Sequence, residues 1–169
     1  MSDSLRRFNL ALLVLGLVLG AALSGLLARG ADALPGETEA EHREQQHADV
    51  TRAAAAEVEA FLGIDHERVD EQARTVLDGA TGDFEQQYAD ELEGLRRSAR
   101  RQESTADATV LEVAISELGE TEATVLVSAD TEVTSKSTDG RPRTVPWRIQ
   151  LDMVKEGGRW LTSGLQFVG

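Results

Sequence analysis

The sequence predicts an α+β protein: one N-terminal transmembrane helix, then about three amphipathic helices packed on a four-stranded antiparallel sheet. Three observations predict it. Residues 8–28 form an apolar run without a single charge. Between residues 38 and 99 apolar side chains recur at steps of three and four, the helical period. From Leu111 onward the step becomes two, the period of a half-buried strand.

The run at 8–28 reads FNLALLVLGLVLGAALSGLLA and is 21 residues long. At ~1.5 Å per residue such a helix crosses a hydrocarbon core of ~30 Å. Arg6 and Arg7 precede it, whereas Arg29 is followed by Asp32, Glu37, Glu39 and Glu41. The positive side stays inside. Residues 1–7 are therefore expected in the cytoplasm, and everything after 28 outside it, in a protein of the plasma membrane with a single pass. A cleaved signal peptide is the competing reading, since Ala31-Asp32-Ala33 faintly resembles a cleavage site. The apolar run, however, exceeds the ~7–15 residues of a signal core. Arg6-Arg7 matches the twin-arginine export pattern poorly. Gly16 and Gly20 share one helix face, and close approach there would make the protein a homo-oligomer.

Residues 29–37 read as a linker through Pro35 and Gly36, and residues 38–169 as one extracytoplasmic domain. Thr38 and Glu41 have the spacing of a capping box. The helix they open is expected to run from Glu39 to Leu62, with Val50, Ala54, Val58 and Phe61 as its apolar stripe. The polar stretch 38–50 is expected to form a stalk. Asp65 is positioned to cap a second helix carrying Val69, Ala73, Val76 and Leu77, and Gly79 ends it. A third, opened at Asp83, carries Phe84, Tyr88, Leu92, Leu95 and Ala99. The strands follow: Leu111, Val113 and Ile115; then Ala123 to Ala129; then Val145 to Met153; then Trp160 to Val168. Turns fall at 118–121, 138–140 and 156–159, the last with Gly157-Gly158 in a two-residue hairpin. Four strands in a meander, apolar on one face, give the helices a surface to cover.

Composition narrows function. The chain carries 17 Lys and Arg against 30 Asp and Glu, a formal net charge of −13. All of the excess lies beyond residue 33, so the domain should repel nucleic acid, which is not an expected partner. Cysteine is absent, which excludes disulfides and thiolate chemistry.

Helices followed by a long-stranded meander give the element order of an NTF2-like cone. VKEGGRWLTSGLQFVG resembles the final hairpin of that superfamily. VLDGATGDFEQQYADELEGLRR, ATVLVSADTEVTS and RTVPWRIQLDMVKEGGRWLTS resemble a narrower group, the Mce-associated membrane proteins of actinobacteria. The resemblance spans roughly residues 8–169. It implies an NTF2-like domain on one membrane helix and a role as a non-catalytic accessory or assembly subunit of an Mce-type lipid or sterol import complex. Protein partners in such a complex are implied, with no cofactor. Single-pass NTF2-like domains also occur as scaffolds of secretion or conjugation channels, such as the VirB8 family. A third alternative is a tethered enzyme or small-lipid binder that uses the interior of the cone.

NTF2-like enzymes place an acid, tyrosine or histidine in an apolar pocket. Tyr88 lies on the apolar face of its helix, either as an oxyanion donor or as a core tyrosine with its hydroxyl at the rim. Asp130 and Asp152 alternate with apolar residues and belong to the outer sheet face. His42 and His47 are five apart on a helix and His66 stands elsewhere, so no metal is expected. No catalytic constellation is read from the sequence. Trp147 and Trp160, on adjacent strands, are candidates to stack or to line a pocket mouth. Arg96, Arg97, Arg100 and Arg101 form the basic cluster, which either complements a helix C-terminus or pairs with an acidic partner.

Overall fold

The computed structural model describes residues 35–169. The expected membrane helix at 8–28, the arginines flanking it, the Gly16 and Gly20 face and the start of the 29–37 linker lie outside the described residues. No helix among the described residues is long and apolar enough to cross a membrane. Among the described residues, 35–43 belong to one compact unit and Glu44–Gly169 to a second.

Helix α1 runs Pro35–Leu62. It begins four residues before the expected Glu39. Proline's fixed φ and missing N–H suit a first helical turn, so Pro35 opens the helix and Thr38 lies inside it. In the first unit Glu39 and Arg43, one turn apart, approach to 4.0 Å at the surface. In the second unit the expected stripe is present: Val50, Ala54 and Val58 are fully buried and Phe61 half-buried. Packing starts earlier than the expected stalk boundary at residue 50. The Gln46 side-chain amide donates to the carbonyls of Gly119, at 2.6 Å, and Glu120, at 3.3 Å.

A two-residue strand, β1 (Ile64–Asp65), follows and pairs antiparallel with Thr105 and Ala106. The sheet therefore has five strands and not the four expected, because two residues are too few to show a period. Asp65 does not cap the next helix directly. Its carboxylate accepts from the backbone N–H of Glu67 and from Arg68 Nε, both at 2.9 Å, and α2 (Val69–Gly79) starts beyond that turn. Helix α3 (Gly82–Gln102) buries Phe84, Leu92 and Ala99, with Tyr88 and Leu95 half-buried on the same stripe. Between the two helices the Thr81 N–H donates to the Thr162 carbonyl at 2.8 Å and pins the corner to the sheet.

Strands β2 (Thr105–Leu118), β3 (Glu122–Thr134), β4 (Arg143–Glu156) and β5 (Arg159–Phe167) form the expected antiparallel meander, in the order β1-β2-β3-β4-β5. Gly157 and Gly158 both take positive φ, +56° and +84°, which the tight β4–β5 turn requires of both residues. Strand β2 departs from simple alternation. A bulge between Val110 and Glu112 turns Leu111 outward, where it is 60% exposed, and Val110 takes the inward place expected of Leu111. The core packs α1 against the inner sheet face: Val50, Ala54 and Val58 against Val125, Val127, Ile149, Leu151, Met153 and Trp160. A satellite cluster of Val76, Ala80 and Phe84 seats α2 and α3, with Phe61 and Tyr88 packed on it.

Candidate functional site

The residues singled out from the sequence separate into three places. Trp147 and Trp160 do not meet. Strand register sets Trp160 opposite Lys155, eight residues along β4 from Trp147. Trp147 instead packs on Phe167, ring centroids 5.2 Å apart. From there a continuous row runs through Phe61 (6.2 Å from Phe167) to Tyr88 (6.1 Å) and Phe84 (5.8 Å). The Trp147 indole N–H is satisfied, since it donates to Thr131 Oγ1 at 2.9 Å. Tyr88 borders a shallow groove of about 560 Å³ along α3, shared with Phe61, Leu92, Leu95 and Arg97. Burial first, then the Glu57 carboxylate, push the Tyr88 phenol above its ordinary range, while Arg96 opposes them.

The four arginines divide by helical face. Arg96 and Arg100, one turn apart, both reach Asp70 of α2, at 2.6 and 3.1 Å, and Arg96 also pairs with Glu93. They join α2 to α3. Arg97 and Arg101 point to solvent, Arg97 on the rim of the groove. Arg100 and Arg101 occupy the last turn of α3, where cations complement the helix dipole. Among the histidines, His42 and His47 are exposed on α1, and no group of three metal-ligating side chains occurs among the described residues.

The most strongly perturbed group was not singled out from the sequence. Glu57 of α1 is 4% exposed. It borders an open cavity of about 450 Å³ between α1, the end of α2 and the β4–β5 turn, together with Trp160. Its Oε1 is buried without a hydrogen-bond partner, and so is Trp160 Nε1. Burial, and next the Asp78 carboxylate, raise the Glu57 carboxyl from 4.5 to about 8, so at neutral pH it is mostly protonated. Gly79 makes the room: a Cβ there would fall 1.9 Å from Glu57 Oε2. At the rim, Arg52 Nη1 lies 2.9 Å from Asp49 Oδ1. Arg159 Nη2 lies 3.0 Å from Asp78 Oδ2 and donates to the Asp78 carbonyl at 2.7 Å. Lys155 Nζ stands 5.7 Å from the Trp160 ring centroid. The sequence did hold a signal for this site. Ala53 lies four residues before Glu57 and Ala60 three after it, on the same helix face, so the carboxyl rises from between alanines beside the core stripe.

Residues 11–169 match the family model described as Uncharacterized protein Rv1363c/MT1408-like. The chain belongs to this family. Within the Rv1363c/MT1408-like group, it is 28% identical over 131 residues to the Uncharacterized protein Rv1363c of Mycobacterium tuberculosis, an alignment covering 77% of this chain and 49% of the relative. The chain thus spans about half the length of the curated relative it matches. Among solved structures, this Rv1363c/MT1408-like chain is similar to the VirB8 protein of Agrobacterium tumefaciens, with a TM-score of 0.58 at 11% identity over 73% of this chain and 92% of that one. CagV, a VirB8 homolog of the type IV secretion system of Helicobacter pylori, gives 0.57 at 9% identity, covering 72% and 97%. An IcmL-like type IV secretion system protein of Legionella pneumophila gives 0.58 at 12%, covering 72% and 91%. At these identities the likeness is one of fold: helices packed on one face of an antiparallel meander.

Proposed function

We propose that the protein is a non-catalytic accessory or assembly subunit of a cell-envelope complex, held in the plasma membrane by residues 8–28 with residues 38–169 outside the cytoplasm. The complex proposed is an Mce-type lipid or sterol importer. One observation carries the non-catalytic part. The inner sheet face, where an NTF2-like enzyme would hold its substrate, is filled by Val125, Ile149 and Leu151, each fully buried, under the α1 stripe. The uncharged run ahead of a strongly acidic domain supports the envelope placement. The resemblance stated for residues 8–169 supports the Mce setting.

The test is purification of the full chain in mild detergent followed by mass spectrometry of what accompanies it. Mce subunits or their permease are the expected companions. Their absence under conditions that keep such complexes together overturns the reading. An alkaline-phosphatase fusion after Gly169 tests orientation: activity is expected, and an inactive fusion contradicts it.

A second reading, a scaffold of a secretion or conjugation channel, draws on the likeness to VirB8, CagV and the IcmL-like protein. Channel components in the same purification would select it. A tethered enzyme or small-lipid binder would need an ionisable group in the cone interior. The buried carboxyl of Glu57 sits beside that interior, at the cavity between α1 and α2.

A further inference from the structure

The cavity at Glu57 has the makings of a binding site. Its lining includes two residues more than nine-tenths buried, each with an unpartnered polar atom, Glu57 Oε1 and Trp160 Nε1. Buried polar atoms in folded proteins are paired in the great majority of cases, and an unpaired one costs about 1–3 kcal/mol. Two such atoms in residues that line one cavity represent stability given up at one place, the usual mark of a binding group.

The charge arrangement selects the ligand. Of the five charged side chains around the cavity, Arg52 is engaged by Asp49, and Arg159 is engaged twice by Asp78. That leaves Glu57 as the acid without a basic partner, and the missing partner is a cation. The Trp160 ring adds an aromatic surface already attractive to an ammonium, since Lys155 stands over it. The indole N–H in turn needs an acceptor, which a hydroxyl or carbonyl next to the ammonium supplies. The cavity is open on one side and large enough for a small polar molecule or an inserted side chain.

The geometry points to a site for a primary ammonium group, either a small free amine carrying a neighbouring oxygen or a lysine side chain of a protein partner, in which Glu57 is the counter-ion and the Trp160 indole binds the neighbouring oxygen. Binding then takes the proton off Glu57: the carboxylic acid becomes carboxylate as the ammonium arrives, and the proton goes to solvent. The other charged or titratable groups that share the cavity with Glu57 or act on it are Asp49 and Arg52 of α1, Asp78 of α2, Tyr88 of α3, and Arg159 at the head of β5. Each arginine stays with its aspartate through the event. Because Glu57 is mostly protonated at neutral pH, affinity should rise with pH below its own value of about 8, approaching tenfold per pH unit well below it, and level off above it.

The experiment uses the full chain in detergent micelles, titrated by calorimetry with ethanolamine and, separately, with an acetylated and amidated Gly-Lys-Gly peptide. Acetamide serves as a neutral control. The expected result is binding by at least one of the two amines, release of close to one proton at pH 7 read from buffers of different ionisation enthalpy, and the stated rise with pH. Ethanolamine binding alone assigns a small amine. Peptide binding alone assigns a partner lysine. Glu57→Gln keeps the shape and is expected to weaken amine binding at least about tenfold while the protein stays folded, shown by an unchanged circular dichroism spectrum. Trp160→Phe, which keeps the ring and removes the N–H, is expected to weaken ethanolamine less. The inference is overturned if neither amine binds at millimolar concentration, if acetamide binds as well as the amines, if no proton is released, or if Glu57→Gln binds amines like the wild type.

Discussion

Two successive turns near the C-terminus of helix α1 pack on the same sheet and are finished differently. In the last turn Phe61 joins Phe84, Tyr88, Phe167 and Trp147 in a row of tilted rings, and the half-buried indole N–H of Trp147 has its acceptor in Thr131. One turn earlier, Glu57 is buried among alanines with an unpaired oxygen, near a second indole whose N–H is also unpaired. The two regions share the helix and the sheet, and the Glu57 region is the more deeply buried. They differ in whether their polar atoms are satisfied. Packing alone explains the aromatic end. It does not explain a carboxyl kept protonated at a cost, and that is why a ligand belongs at Glu57 and not at the row of rings.

The sharpest way to break the contrast is to cut into each region and compare signs. Phe84, 7% exposed, touches Phe61 and Tyr88 and seats α2 and α3 on the core. Phe84→Ala should destabilise by about 3–4 kcal/mol in urea unfolding followed by circular dichroism. A loss below about 1 kcal/mol would mean that the aromatic end is not a structural anchor. Glu57→Gln should do the opposite. A carboxyl whose folded value is raised contributes its full stability only below its ordinary value of 4.5, and that contribution is lost as pH climbs toward about 8. Glutamine does not titrate. At pH 7 the variant should therefore exceed wild type by about 3 kcal/mol, since each tenfold change in proton affinity is worth ~1.4 kcal/mol. The two should converge near pH 4. A pH-independent difference would refute the buried neutral acid.

These two residues also mark how far the sequence can be read. Phe84 sits in a long stripe of period 3.6, and each further member, Tyr88, Leu92, Leu95 and Ala99, repeats the same message. The strands are legible for the same reason, and so is the β4–β5 turn, where two adjacent glycines meet a backbone that needs positive φ twice. Where periodicity is interrupted, the pattern misleads: the bulge that turns Leu111 outward adds one residue to β2, and β1 is too short to have a period. The alanines around Glu57 are a weaker signal, because a glutamate on a helix is ordinarily solvated, and its burial depends on Gly79 and the β4–β5 turn arriving from 22 and about 100 residues away. Trp147 and Trp160 do fall on neighbouring strands as expected, yet only the register shows that they lie at opposite ends of that pair.

A smaller test bears on the satisfied indole. Thr131 is 2% exposed, accepts from Trp147 and lies 3.5 Å from the Val145 carbonyl. Thr131→Val keeps the shape and removes the acceptor. It should cost about 1–2 kcal/mol, because the half-buried indole N–H loses its protein partner. A neutral result would make the indole at the aromatic end indifferent to its bond, and the contrast with Trp160 would lose its force.

The smallest expected effect is the most discriminating for Glu57. Two causes raise its carboxyl, burial first and the Asp78 carboxylate second. Asp78→Asn removes only the second. It also removes the surface pair with Arg159, whose members are 59% and 75% exposed, and such pairs contribute well under 1 kcal/mol. The two consequences oppose each other near neutral pH: the lost pair destabilises slightly, and the relieved repulsion stabilises slightly. The thermal midpoint at pH 7 should therefore hardly move. The titration of Glu57, followed by its carboxyl carbon resonance, should move downward while staying well above the ordinary carboxylate range, because the burial that dominates is untouched. If Asp78→Asn instead returns Glu57 to an ordinary value, a charged neighbour and not desolvation holds the proton. The cavity would then be a matched acid pair whose partner need not be a cation at all.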